Sequence, residues 1–242
     1  MSDSSPSTRE QATVSLADEE GVRRILQDTV FGLWGLVNNL TRLRPAKCEH
    51  YRVTIFGSAR VKPGTWVYGE VTRLAAELAG MGCDIVTGGG PGLMQAANEG
   101  ARACGAPERA QSVGIRVDLP FEQEVNPFVQ EAFEHQTFFS RLHHFVLLSD
   151  AYVVVPGGIG TVLEATLVWQ LLQVRHLHDT PLLFVGDMWG ELVAWAQRYM
   201  LRPDFELANP EDMAIPHCVK TADEAIAVIR EHHARWQLAQ AP

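Results

Sequence analysis

Glu164 closes a stretch that runs from Val153 to Val155 through Pro156-Gly157-Gly158-Ile159-Gly160-Thr161 into a helical pattern. A strand that passes through glycines into a helix presents backbone N–H groups and the positive end of the helix dipole, an arrangement suited to phosphate. The acid at that junction has two readings. Thr161-Val162-Leu163-Glu164 fits a capping box, which stabilises a helix start by about 1 kcal/mol. The same carboxylate beside a sugar phosphate can orient or deprotonate a water. Two further strand ends carry unusual residues, Gly57-Ser58-Ala59-Arg60 and Gly88-Gly89-Gly90-Pro91-Gly92. In "TFFSRLHHFVLLSD", Ser140 reads as an N-cap with Arg141 in the first helical turn. A cation there opposes the dipole, and pairing with an acid or a phosphate would offset that.

Several chemistries are excluded by what is missing. A dinucleotide fingerprint requires G-x-G-x-x-G after the first strand, and that strand ends in Gly57-Ser58-Ala59-Arg60. A P-loop requires Gly-Lys before Ser or Thr, and the chain has no Gly-Lys pair. Pyridoxal chemistry requires a Schiff-base Lys; only Lys47, Lys62 and Lys220 exist, none in a glycine loop. His135, His143 and His144 cluster near Arg141, yet adjacent residues of a helix point about 100° apart, so His143 and His144 do not easily share an ion. No metal and no cofactor are expected. Cys48, Cys83, Cys104 and Cys218 form no metal-ligand spacing and read as reduced thiols.

These residues need a scaffold, and the pattern around them supplies one. Short Val- and Ile-rich runs ("YRVTIF", "CDIVT", "QSVGIRVDL", 151–155, "PLLFVG", "HCVK") alternate with helical segments over 64–82, 93–105, 141–149, 161–174, 189–201 and 223–236. That alternation predicts an α/β fold: a doubly wound, Rossmann-like parallel sheet with helices on both faces. In such sheets ligands collect beyond the carboxyl ends of the strands, where strand order reverses. Residues 1–18 read as a disordered tail, 19–48 as a helical extension whose apolar residues recur at helical spacing, and 49–242 as a single nucleotide-binding domain. The net charge of −9 argues against nucleic acid and anionic membrane as partners. With no secretion signal and no span-length apolar run, a cytoplasmic location is expected.

Gly88-Gly89-Gly90-Pro91-Gly92-Leu93-Met94 resembles the GGGxxGLM element, and Pro156 to Glu164 the PGGxGTxxE element, of the LOG ("Lonely guy") family. The resemblance spans about residues 52–229 and includes "FGSAR", "LPFEQEVNPF" and "NPEDMAIPHCVKTADEAIAVI". The family places an Arg 23 residues before that Glu, the separation of Arg141 from Glu164. Its usual next residue, Lys, is Leu142 here, which removes a possible phosphate contact. The resemblance implies hydrolysis of the N-glycosidic bond of a nucleoside 5′-monophosphate, AMP or a cytokinin-type nucleotide, to free base and ribose 5-phosphate. It implies Arg141 and Glu164 as catalytic residues. Gly57, Ser58, Gly88, Gly89, Gly90, Gly92, Met94, Gly157, Gly158, Gly160 and Thr161 would form the substrate cradle. It also implies a homodimer or higher homo-oligomer. The alternative is a non-catalytic binding protein, since the fold also resembles molybdenum-cofactor carriers.

Overall fold

The computed structural model describes residues 17–40, 50–104, 110–118 and 125–240. Most of the tail expected at 1–18 therefore lies outside the described residues, as do residues 41–49 and the start of "LPFEQEVNPF". Helix α1 (Glu19–Leu40) belongs to one compact unit, and every later element belongs to a second that begins at Lys47.

In that second unit, β1 (Tyr51–Phe56), β2 (Cys83–Thr87), β3 (Ser112–Val117), β4 (Glu131–His135), β5 (Ala151–Val154), β6 (Leu182–Val185) and β9 (Pro216–Val219) form a seven-stranded sheet. The order is β4-β3-β2-β1-β5-β6-β9, and every pairing is parallel. A two-residue hairpin, β7 (Leu201–Arg202) with β8 (Phe205–Glu206), precedes a short 3-10 turn at Pro210–Ala214. Successive strand residues point to opposite faces, and the alternation sorts two cores. Val53, Ile55, Ile85 and Val153 pack on one face with α2 (Trp66–Gly80), α3 (Leu93–Ala103) and α7 (Ala222–Gln240). Phe56, Val86, Tyr152 and Val154 pack on the other with α4 (Phe138–Leu148), α5 (Ile159–Gln173) and α6 (Asp187–Met200).

The face changes at the middle of the sheet. β1 pairs with β2 on one side and with β5 on the other, and the helix after β1 and the helix after β5 cover opposite faces. The loops leaving β1 and β5 therefore diverge at their carboxyl ends, where this architecture is expected to hold its ligand crevice.

Several local expectations needed correction. The connection after β3 contains a further strand, β4, whose sequence EAFEH lacks β-branched residues. It is an edge strand, mostly exposed, so only one flank pairs and acids on it reach water. The N-cap of α4 is Thr137, not Ser140: its hydroxyl accepts the Ser140 N–H at 3.1 Å. Both residues suit a cap, and the earlier one, already extended at φ −133°, starts the helix three residues sooner. The capping box at Thr161–Glu164 does not form. Helix α5 begins at Ile159 with Gly158 as N-cap and no side-chain capping bond, which moves Glu164 into the second turn.

Candidate functional site

Three loops converge at the carboxyl ends of β1, β2 and β5, and Ser58 ties them together. Its N–H donates to the Pro156 carbonyl at 3.1 Å, and its carbonyl accepts the Leu93 N–H at 2.8 Å. Its hydroxyl accepts the Arg60 N–H at 3.1 Å. These bonds fix the N-terminus of α3 and the approach to α5 beside one another. Gly92 and Gly158, the N-caps of those helices, provide no side-chain cap. Each helix start therefore retains unsatisfied N–H donors and the positive end of its dipole.

The glycines divide by what surrounds them. Gly57 abuts Val155 and Leu93, Gly157 abuts the buried Thr161 side chain, and a Cβ at Gly92 would overlap the Ser58 carbonyl and the Ala59 backbone. Gly89 and Gly92 both lie at φ +71°, a conformation that strains any other L-residue. Gly158 and Gly160 have no neighbour within 4 Å of where a Cβ would stand. The same change should thus have opposite effects. Gly92→Ala is expected to destabilise the fold by roughly 3 kcal/mol or more, lowering Tm by several degrees. Gly160→Ala, within the first turn of α5, is expected to stabilise by up to about 1 kcal/mol, while weakening ligand binding; calorimetry and ligand titration check the pair.

Arg141, the fourth residue of α4, joins the crevice to the second face of the sheet. Its Nε donates to the Ile115 carbonyl at 2.9 Å, its guanidinium lies 5.4 Å from the Phe145 ring centroid, and Nη2 rests against Gly88. Nη1 stands 3.6 Å from Glu164 Oε1, with the two side chains 11% and 12% exposed. That separation is an ion pair without a hydrogen bond. Among the described residues, neither the Nη groups nor the Glu164 carboxylate has a hydrogen-bond partner, so both retain capacity for a ligand. Met94 lies across the same turn, its sulfur beside Gly88 and its methyl beside Gly90. The structure thus brings Arg141, Glu164, Met94 and the glycine loops to one end of the sheet.

Burial pushes the Glu164 carboxyl up to about 7, and the Arg141 charge holds it from rising further. An acid whose folded pKa is raised is stabilised by its proton, so stability falls as pH rises from the unfolded value through about 7. Glu164→Gln removes that ionisation. Its stability relative to wild type is expected to improve by roughly 2–3 kcal/mol between pH 5 and pH 8. Denaturant melts at the two pH values measure this; an unchanged difference would show the carboxyl to be ordinary.

Two of the histidines near Arg141 are engaged with each other. His135 Nε2 and His144 Nδ1 share a hydrogen bond of 2.8 Å, and His144 falls to about 4, first through burial and then through His135. Among the described residues no group of three or more His, Cys, Asp or Glu stands in metal-binding proximity. No helix there is long and apolar enough to cross a membrane.

Sequence reasoning missed the buried polar residues beneath the crevice. Asn98 and Asn126, 0% and 5% exposed, join Thr87 and Ser112 in a network under the Gly88–Gly90 turn. The signal was available: Asn98 interrupts the otherwise apolar inner face of α3.

A protein-family model described as "Possible lysine decarboxylase" matches residues 94–229. A cytokinin riboside 5′-monophosphate phosphoribohydrolase of Mycobacterium tuberculosis is 34% identical over 137 residues, 53% of this chain and 70% of that protein. A pyrimidine/purine nucleotide 5′-monophosphate nucleosidase of Escherichia coli K12 is 28% identical over 155 residues, 60% of this chain but only 34% of that protein. Among solved structures, the molybdenum cofactor binding protein of Rippkaea orientalis has a TM-score of 0.58 at 18% identity, covering 76% of this chain and 98% of that one. The molybdenum cofactor carrier protein of Chlamydomonas reinhardtii has a TM-score of 0.58 at 19% identity, covering 77% and 99%. At these identities the two structures establish the fold, the Rossmann-like sheet already described. The family model covers more than half of the chain and the mycobacterial relative supports it: the chain belongs to the LOG family, the one whose model carries the lysine decarboxylase description.

Proposed function

We propose that this protein hydrolyses the N-glycosidic bond of a nucleoside 5′-monophosphate, AMP or a cytokinin-type nucleotide, to free base and ribose 5-phosphate. The observation that carries the reading is Glu164: a buried carboxyl with a pKa near 7, paired at 3.6 Å with Arg141, beside two uncapped helix starts. The backbone donors and the Arg141 guanidinium suit the 5′-phosphate. As the bond from C1′ to the base breaks, its electron pair leaves with the base nitrogen and positive charge builds on the ribose. The Glu164 carboxylate stabilises that charge and takes a proton from the water whose oxygen bonds to C1′. The proton then passes to the departing base. The activities for which the mycobacterial and Escherichia coli relatives are named agree with this class of reaction.

We further propose that residues 49–242 act as one nucleotide-binding domain and that the protein works in the cytoplasm as a homo-oligomer. The exposed Ile159 and Leu163 of α5, with Trp195 and Tyr199 of α6, support self-association. Leu142 favours the second reading, a nucleotide or molybdenum-cofactor carrier, because it removes a cation from the phosphate side. Incubation with AMP and chromatography separates the two. Release of adenine with equimolar ribose 5-phosphate supports the hydrolase, and tight binding without products supports the carrier.

A further inference from the structure

The Gly88–Gly90 turn is held from below by hydrogen bonds that have no part in the chemistry just described. The Asn126 N–H donates to the Gly89 carbonyl at 2.9 Å, and its side-chain amide donates to the same carbonyl at 3.1 Å. That amide also reaches the Gly90 carbonyl and Asn98 Oδ1, each at 3.0 Å, so two protons are shared among three acceptors. Asn98 is anchored in turn. Its amide donates to Ser112 Oγ at 2.9 Å, and its carbonyl accepts the Thr87 hydroxyl at 2.7 Å. Thr87 Oγ1 accepts the Gly89 N–H at 2.9 Å. The Gly89 N–H and the Gly89 and Gly90 carbonyls are thus satisfied, at a depth where an unpaired one costs about 1–3 kcal/mol.

Peptide geometry turns this anchorage into a direction. A trans peptide is planar, with its C=O and N–H on opposite sides. Holding the Gly89 carbonyl inward with two donors therefore points the Gly90 N–H away from Asn126. Gly90 is the half-buried residue of the turn, and its N–H has no partner among the described residues. The following residue, Pro91, has no N–H to compete. Gly88 of the same turn touches the Arg141 guanidinium.

Building on the reading of the crevice as a sugar-phosphate site, we propose that Asn126, braced by Asn98, is a positioning residue that aims the Gly90 N–H at a phosphate oxygen of the ligand. It touches neither ligand nor reacting atoms. Because a phosphate contact is made equally before and during bond cleavage, its loss raises KM and leaves kcat nearly unchanged.

The test uses the full-length protein, 15N-labelled, titrated with ribose 5-phosphate and separately with ribose. The Gly90 amide resonance is expected to shift with ribose 5-phosphate and not with ribose. A Gly90 resonance that ribose 5-phosphate leaves unmoved overturns the proposal, without reliance on any variant. In Asn126→Ala, KM for the nucleoside monophosphate is expected to rise at least about tenfold with kcat changed less than about threefold. A fall in kcat at unchanged KM overturns it. Should no nucleotide be cleaved, the hydrolase reading fails, and the Gly90 shift alone still decides this proposal. Cleavage with an unmoved Gly90 leaves the hydrolase standing and removes Asn126 from its site.

Discussion

Glu164→Gln is expected to lower base release from a nucleoside monophosphate by at least about 100-fold and by up to about 10,000-fold. The substitution keeps shape and burial, so α5 and the crevice should be undisturbed, and the variant should melt no lower than wild type at pH 8. It removes the negative charge that faces the developing cation on the ribose and the acceptor that takes the proton from water. Binding should persist, because the uncapped starts of α3 and α5 and the Arg141 guanidinium remain. In the wild type, kcat/KM is expected to rise with pH and level off above about 7, where the Glu164 carboxyl of the free protein is ionised. Steady-state kinetics across pH 5 to 9 measure both effects. Glu164→Gln turnover within about threefold of wild type would remove the carboxylate from the mechanism.

Arg141→Ala is expected to have the next largest effect, a loss in kcat/KM of about 100-fold or more at pH 7. Arg141 is the charge that restrains the Glu164 pKa, and without it the carboxyl should titrate well above 7. Less of the protein then carries the ionised base at neutral pH, and the activity profile moves to higher pH. The phosphate loses a guanidinium at the same time, so KM rises with the fall in kcat. The Ile115 carbonyl, which accepts from Arg141 Nε, is left without that donor, so some loss of stability accompanies the kinetic one. Arg141→Lys should restore charge without the fork that reaches Ile115, Gly88 and Glu164 together, and is expected to recover the pH profile more fully than KM. A pH profile unmoved in Arg141→Ala would show that the pair is not electrostatically coupled.

The scaffold was legible because its signals are local. Runs rich in β-branched residues such as "YRVTIF" and "CDIVT" are buried on both faces of the sheet and read as strands from composition alone. The glycine clusters marked the strand ends that face the crevice, and the spacing of Arg141 from Glu164 matched the family element. Less legible was anything decided by competition between neighbours. Thr137 and Ser140 both suit an N-cap, and the backbone leaving β4 settled it for Thr137. Gly158 started α5 before Thr161 could cap it, so Glu164 was free to face Arg141 instead of its own helix. Strand β4 went unseen because half of an edge strand's pairing and burial is missing, and with them the Val and Ile that betray a central strand. The Asn98–Asn126 contact joins residues 28 apart through side chains, which no periodicity encodes.

Hydrolysis in water enriched in 18O tests the central claim most directly. If water attacks the anomeric carbon, wild-type protein given AMP should release unlabelled adenine and ribose 5-phosphate heavier by one 18O. Fresh product must be trapped by reduction before the sugar exchanges its C1 oxygen with solvent. Label appearing in inorganic phosphate, with adenosine as the other product, would contradict the account, as would bound AMP that yields no product at all.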